Sequence, residues 1–330
     1  MAVSMADISK LRTMTGAGMM DCKKALTEAN GDFDKAVELI RKRGQAIAAK
    51  RSDRDAAEGC VLAAANGDFA AIVAVKCETD FVAKNADFIA LTQQILDAAM
   101  NAKPVSLDEL TNLNINGSTV AQLITDRSGV TGEKMELGAY EFVKGPATLA
   151  YIHPGNKLAS IVSFNEAGAD VQVYKNIAMQ VAAMNPIAVD EKGVSAEFIA
   201  KEREIATDKT KAELVNKQVD NALSKAGINP AHVDSEAHIE SNVEKGWITA
   251  EQAAKAREIR ATVSETAAAN LKPQMIEGIV NGRIQKIYKE QTLMNQAFIM
   301  DEKINVAAYL TSVSKTLLPT SFKRFTLNQE

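Results

Sequence analysis

The sequence predicts an α+β protein: a three-helix N-terminal unit, then a core of two related subdomains, each an antiparallel sheet backed by a helix, with a helical arm. Three observations carry this. Apolar residues recur at helical spacing as far as about residue 44, and short runs of alanine and β-branched residues follow. A strand, turn, strand, helix order then occurs twice. Finally, the stretch from about residue 195 to 291 is polar, Ala-rich and almost free of strand signals. The boundaries read as residues 1–54 for the three-helix unit and its linker, 55–145 for the first core subdomain, 146–194 with 281–330 for the second, and 195–280 for the inserted arm.

In the first unit, Ile8, Leu11 and Met14 recur every three residues until Thr15-Gly16-Ala17-Gly18 breaks the pattern. A second helix runs from Met20 to Ala29 and is closed by Asn30-Gly31. Asp32 is a natural N-cap for the third, on which Phe33, Val37 and Ile40 share a face. A unit of this size is small for independent stability and suits a docking module. Arg41 to Arg54 reads as a solvated charged linker or a helical extension, with RNA contact the less favoured reading.

Residues 59–63 and 70–75 read as strands joined by Asn66-Gly67-Asp68, a strong hairpin signal. A helix with Phe88, Leu91, Ile95 and Ala99 on one face follows, and Pro104 lies beyond its end. Leu149–Ile152 and Leu158–Phe164 repeat the hairpin around His153-Pro154-Gly155-Asn156, and a helix from about Asp170 to Met184 repeats the backing. Wording recurs too: Ala98-Ala99-Met100-Asn101 returns as Ala182-Ala183-Met184-Asn185. By contrast, Ala29-Asn30-Gly31-Asp32-Phe33 and Ala65-Asn66-Gly67-Asp68-Phe69 are the same string in front of different periodicities, so they do not mark a domain repeat. A helix over about 304–314 and a last strand near 322–327 return to the core.

The chain has 330 residues, 46% hydrophobic and 24% charged, as in ordinary soluble domains. A net charge of −4 argues against bulk nucleic-acid binding. Cys22, Cys60 and Cys77 are odd in number and lack CxxC spacing, so neither a disulfide scaffold nor a zinc site is expected. No phosphate-binding GxxxxGK[ST], GxSxG or HExxH motif is present. His232 and His238 are six residues apart, the wrong spacing for two ligands on one helical face. No apolar run approaches the roughly 20 residues that span a bilayer, and the N-terminus has no secretory signal pattern. No enzymatic site, metal or cofactor is expected.

Two loops stand out. In Gly16-Ala17-Gly18-Met19-Met20, the methionines either contact a partner or turn one side chain inward. In Thr79-Asp80-Phe81-Val82, at a strand-to-helix corner, Phe81 either projects beside an acid as a wedge or is buried with Asp80 as a helix cap.

Both loops lie in motifs of a known family. Thr15 through Leu26, Cys77-Glu78-Thr79-Asp80-Phe81-Val82-Ala83 and Ile177 through Ala183 closely resemble, in order, three motifs of elongation factor Ts. The resemblance implies a ubiquitin-associated-like fold for the three helices. It implies a nucleotide exchange factor that binds elongation factor Tu in its GDP-bound and nucleotide-free forms, displaces GDP with its Mg²⁺ and lets GTP reload, itself binding no nucleotide, nucleic acid or membrane. By this carry-over Thr79, Asp80, Phe81 and Val82 act at the nucleotide site, and Arg12, Met19 and Met20 dock the GTPase domain. His153 serves a second contact region. Thr131 and Gly132 match a further contact, with Ser128-Gly129 the competing alignment. Met14 departs from the family, which often has Arg there, and the segment 210–273 is longer than in familiar members. The expected location is the bacterial cytoplasm.

Overall fold

A computed structural model describes residues 3–328. Helices α1 (Met5–Thr15), α2 (Met19–Glu28) and α3 (Phe33–Lys50) form the N-terminal unit. Ser4 and Asp7 make a capping box at the start of α1, and Gly16, at φ +70°, ends it. Ile8, Leu11, Cys22, Ala25, Leu26 and Ala36 form its small core, with Phe33, Val37 and Ile40 packed around them. Cys22 is buried and is a packing residue, its Sγ 3.6 Å from the Ala17 carbonyl oxygen.

Of the two readings of the charged stretch, the helical extension holds: it is helical to Lys50 and tied down. Arg41 reaches Asp126 at 3.4 Å and donates to Ser118 Oγ at 3.2 Å.

The core begins with β1 (Glu58–Asn66), β2 (Phe69–Cys77), the single-turn helix α4 (Asp80–Ala83) and α5 (Ala86–Ala102). Next come α6 (Leu107–Asn112), the short hairpin β3 (Asn114–Ile115) and β4 (Ser118–Thr119), α7 (Val120–Thr131) and β5 (Met135–Lys144). The second half has β6 (Ala147–Ile152), β7 (Leu158–Phe164) and α8 (Val171–Met184).

A separate helical unit over residues 190–295 contains α9 (Ala196–Lys225), α10 (Glu236–Glu244), α11 (Ala250–Ala269) and α12 (Pro273–Gln291). Within it α9 is the spine. Val219 and Leu223 on its C-terminal half pack with Ile239, Ile248 and Ala256, while Ala206 packs with Val280 and Ile284 of α12.

The chain then supplies β8 (Ala297–Phe298), β9 (Asp301–Asn305), α13 (Val306–Val313) and β10 (Pro319–Thr326).

Two three-stranded antiparallel sheets result, in the order β1-β2-β5 and β10-β7-β6, beside the two-stranded pairs β3-β4 and β8-β9. The first turns one face to α5: Leu62, Phe69, Ala71, Val73 and Val75 cluster with Phe88, Leu91 and Ile95. Its other face, with Val61, Ala70, Ile72 and Ala74, meets Ala159 and Ile161 of β7. Both faces of β2 are therefore covered, which is why its sequence is apolar without alternation from Phe69 to Val75. On the far side Ser160 donates to the Ala178 carbonyl of α8 at 2.7 Å. The fold is the expected α+β, with a helix, two sheets and a helix in successive layers. Helix α7 starts at a Thr119–Gln122 capping box and runs to Thr131.

Candidate functional site

Cys77 ends β2, and the next residues turn away from the sheet into α4. Thr79 is the N-cap: its hydroxyl accepts from Val82 N at 3.4 Å. The same hydroxyl donates to Glu133 Oε1 at 2.7 Å, while Thr79 N donates to Glu133 Oε2 at 3.1 Å. One carboxylate thus grips both donors of the cap residue. Asp80 is the first helical residue rather than the cap, and it pairs with Lys84 at 2.6 Å. That hydrogen bond holds the Asp80 carboxyl below the usual range, with help from the charge of Lys157. Val82 is half-buried against the core.

Phe81 is 85% exposed, the largest exposure among the big apolar side chains described. Of the two readings open in the sequence, the buried Phe with Asp80 as cap does not hold. The ring stands out from a corner whose backbone is fixed on both sides.

Thr131 and Gly132 lie directly below this corner. Gly132, at φ +74°, is the left-handed C-cap of α7, and the next residue is Glu133, which holds Thr79. The competing pair is committed elsewhere. Ser128 is buried and donates to the Glu133 carbonyl, and Gly129 lies where α3 crosses α7. A Cβ on Gly129 would come 2.2 Å from the Gly44 Cα, so this crossing admits only glycine.

His153 is exposed in the β6–β7 turn. Its N donates to the Leu158 carbonyl at 2.8 Å, and its Nδ1 lies 3.1 Å from the Tyr151 hydroxyl. The same turn approaches β1, since Val61 N donates to Asn156 O at 2.7 Å and Lys157 pairs with Glu58 at 2.8 Å. β1 also packs against α4, so this turn and the Phe81 corner meet the same strand.

Arg12, Met19 and Met20 lie on the three-helix unit. Gly18 caps α2, and Met19 and Met20 open it with 39% and 65% exposure. Neither turns fully inward. Arg12 is exposed in the last turn of α1 and accepts from Gly16 N through its carbonyl at 2.7 Å. A side chain at Gly16 would stand 3.7 Å from Arg127 Nη1 of α7, so this loop faces the core helix.

Supports of the corner that the sequence did not single out are Glu78, Glu133, Arg51 and Arg54. Glu78 accepts from Arg51, Arg54 and Lys134 N. The available signal was an acid directly before the Thr79 cap, with unassigned arginines upstream.

The thiols of Cys60 and Cys77 are pushed up by burial, to about 11 and about 12, and supply no thiolate near neutral pH. Among the described residues no cluster of three or more His, Cys, Asp or Glu side chains could hold a metal, and no helix is long and apolar enough to cross a membrane.

A fixed corner bearing a bare aromatic beside an acid, together with exposed methionines on the three-helix unit, has the character of a protein-binding surface. The sequence model of the family described as Elongation factor TS matches residues 78–226 and 217–329. Similar full-length curated proteins named elongation factor Ts include those of Parabacteroides distasonis, at 60% identity, and Bacteroides thetaiotaomicron, at 59%, each match covering 100% of both chains. That of Porphyromonas gingivalis is 48% identical over the same full span. The chain belongs to the elongation factor Ts family, the nucleotide exchange factors of elongation factor Tu.

Proposed function

We propose that this chain releases GDP from elongation factor Tu by inserting Phe81 beside the nucleotide site, and that it carries out no chemical reaction itself. The three-helix module docks first through Arg12, Met19 and Met20. The corner of Thr79, Asp80, Phe81 and Val82 then displaces the elements that position Mg²⁺ and the phosphates. Thr131, Gly132 and His153 add contacts around it. The partner is met in its GDP-bound and nucleotide-free forms, in the cytoplasm, and the chain itself binds neither nucleotide, nucleic acid nor membrane.

The observation that carries this reading is the exposure of Phe81 on a corner held by Glu133 and Glu78. Burying such a ring in a partner contributes about 1.5–3 kcal/mol, and an ordered corner loses little freedom on insertion. Exchange needs that energy to be spent on the nucleotide-free state. The factor by which the protein weakens GDP is the factor by which GDP weakens the protein. Asp80, ionised and paired with Lys84, keeps the turn in register. Direct replacement of a Mg²⁺ ligand by Asp80 is disfavoured, because a second anion beside the phosphates is repelled.

Stopped-flow release of fluorescent GDP from elongation factor Tu tests this. The wild type should accelerate release, and Phe81→Ala should slow it by about thirtyfold, the equivalent of a 2 kcal/mol anchor. Equal rates for both proteins would move the mechanism away from Phe81. No acceleration by the wild type would remove the function.

A further inference from the structure

The carboxylate of Glu78 is unusually well held for a residue beside a surface corner. Arg51 Nη1 donates to both of its oxygens at 3.1 Å, Arg54 Nη1 donates to Oε2 at 3.1 Å, and Lys134 N donates to Oε1 at 2.6 Å. Only 13% of its side chain is exposed. Lys134 Nζ closes the ring by donating to the Arg54 carbonyl at 2.9 Å.

The partners come from three places in the chain. Arg51 is the C-cap of α3, the last helix of the docking module, and Arg54 lies in the turn after it. Lys134 follows Glu133, whose own carboxylate holds Thr79. Glu78 immediately precedes that residue. An exposed ion pair contributes little, but a mostly buried carboxylate that accepts four hydrogen bonds from three donor groups fixes the position of everything bonded to it.

We propose that Glu78 is a positioning residue for exchange: through Arg51 and Arg54 it locks the end of α3 to the base of α4, so that docking of the three-helix module sets where Phe81 enters the partner. The inference rests on the wedge reading of Phe81 and deepens it. Docking and insertion are then one rigid-body event rather than two independent contacts. Without Glu78 the module still docks, but the corner no longer arrives in a fixed orientation. Misplacement of this kind lowers a rate without removing binding. The Glu78 carboxyl is held below its ordinary range, first by the Lys134 backbone hydrogen bond and then by the arginines, so the clamp is charged at neutral pH.

The test is GDP release from elongation factor Tu, followed across a titration with the full-length protein. Four proteins are compared: wild type, Glu78→Ala, Phe81→Ala and the double variant. Glu78→Ala should lower the maximal rate by about tenfold or more and leave the half-saturating concentration within about twofold, because the docking residues are untouched. In the Phe81→Ala background, Glu78→Ala should change nothing further, since it acts through that ring. Effects that multiply across the two sites, or an unaltered maximal rate in Glu78→Ala, would overturn the positioning role. Fast release by Phe81→Ala alone would instead remove the wedge, and the positioning role with it. Should Glu78→Ala not fold, Arg51→Gln with Arg54→Gln opens the same clamp from its outer side and must give the same pattern.

Discussion

The corners after β2 and β7 occupy equivalent places in the two halves of the core, yet they are built to opposite ends. After β7 the polar side chains bond back to the segment that leads into β10. Glu166 accepts from Ser314 Oγ at 3.1 Å and from Thr316 Oγ1 at 2.9 and 3.0 Å, and its carbonyl accepts from Tyr174. Asn165 exchanges bonds with Leu318 in both directions. Asp170 then caps α8 directly. After β2 the chain inserts α4 before its helix, and the hydrogen bonds secure the backbone while the largest side chain faces outward. The corner after β7 shows that strand and helix can be joined without any projecting ring. Phe81 is therefore an addition to the repeat, not a requirement of it.

That contrast can be broken or sharpened by substitution. Phe164, at the end of β7, is fully buried with its ring 4.5 Å from that of Tyr174. Phe164→Ala should cost about 3–5 kcal/mol in urea unfolding, and the fraction still folded should release GDP at the normal rate. A rate loss in excess of the unfolded fraction would tie the second corner to exchange. The next effect lies on the docking module. Met19→Ala combined with Met20→Ala should weaken the complex by about 2 kcal/mol in calorimetry, most of the burial free energy of two partly exposed side chains; unchanged affinity would remove them from the interface. Glu166→Ala should cost about 1 kcal/mol or a little more in stability and leave release unchanged. The smallest effect is Phe81→Ala on stability, within about 0.5 kcal/mol in thermal or urea unfolding, because the ring touches little of its own protein. A larger loss would mean that the ring packs at home.

Legibility differed in the same way. The hairpin β1–β2 and helices α5 and α8 were readable because Asn66-Gly67 and the caps Asn85 and Asp170 are local signals. The pairing of β5 with β2 and of β10 with β7 was not, since neither register is set by a short turn. The motif loops could be found, but the direction of Phe81 could not. It depends on Glu133, 54 positions from Thr79, gripping the cap, so that Thr79 rather than Asp80 is the N-cap. The arginines after α3 looked like solvated charge because Glu78 is 24 positions or more away from them.

The repeated string Ala-Asn-Gly-Asp-Phe marks where local information ends. At Ala29 to Phe33 it closes one helix and Asp32 caps the next; at Ala65 to Phe69 it turns a hairpin in which Asn66 pairs with Phe69. The residues that follow chose between these, so helix, strand and turn are legible in the sequence wherever neighbours in the chain make the bonds. The family is legible there too, through motifs carried as strings. Long-range packing makes the charged stretch a clamped helix end, lets two helices touch at Gly44 and Gly129, and leaves Phe81 bare. Each of these outcomes is set by packing or charge pairing between distant segments, whose energy appears only once the chain has closed on itself.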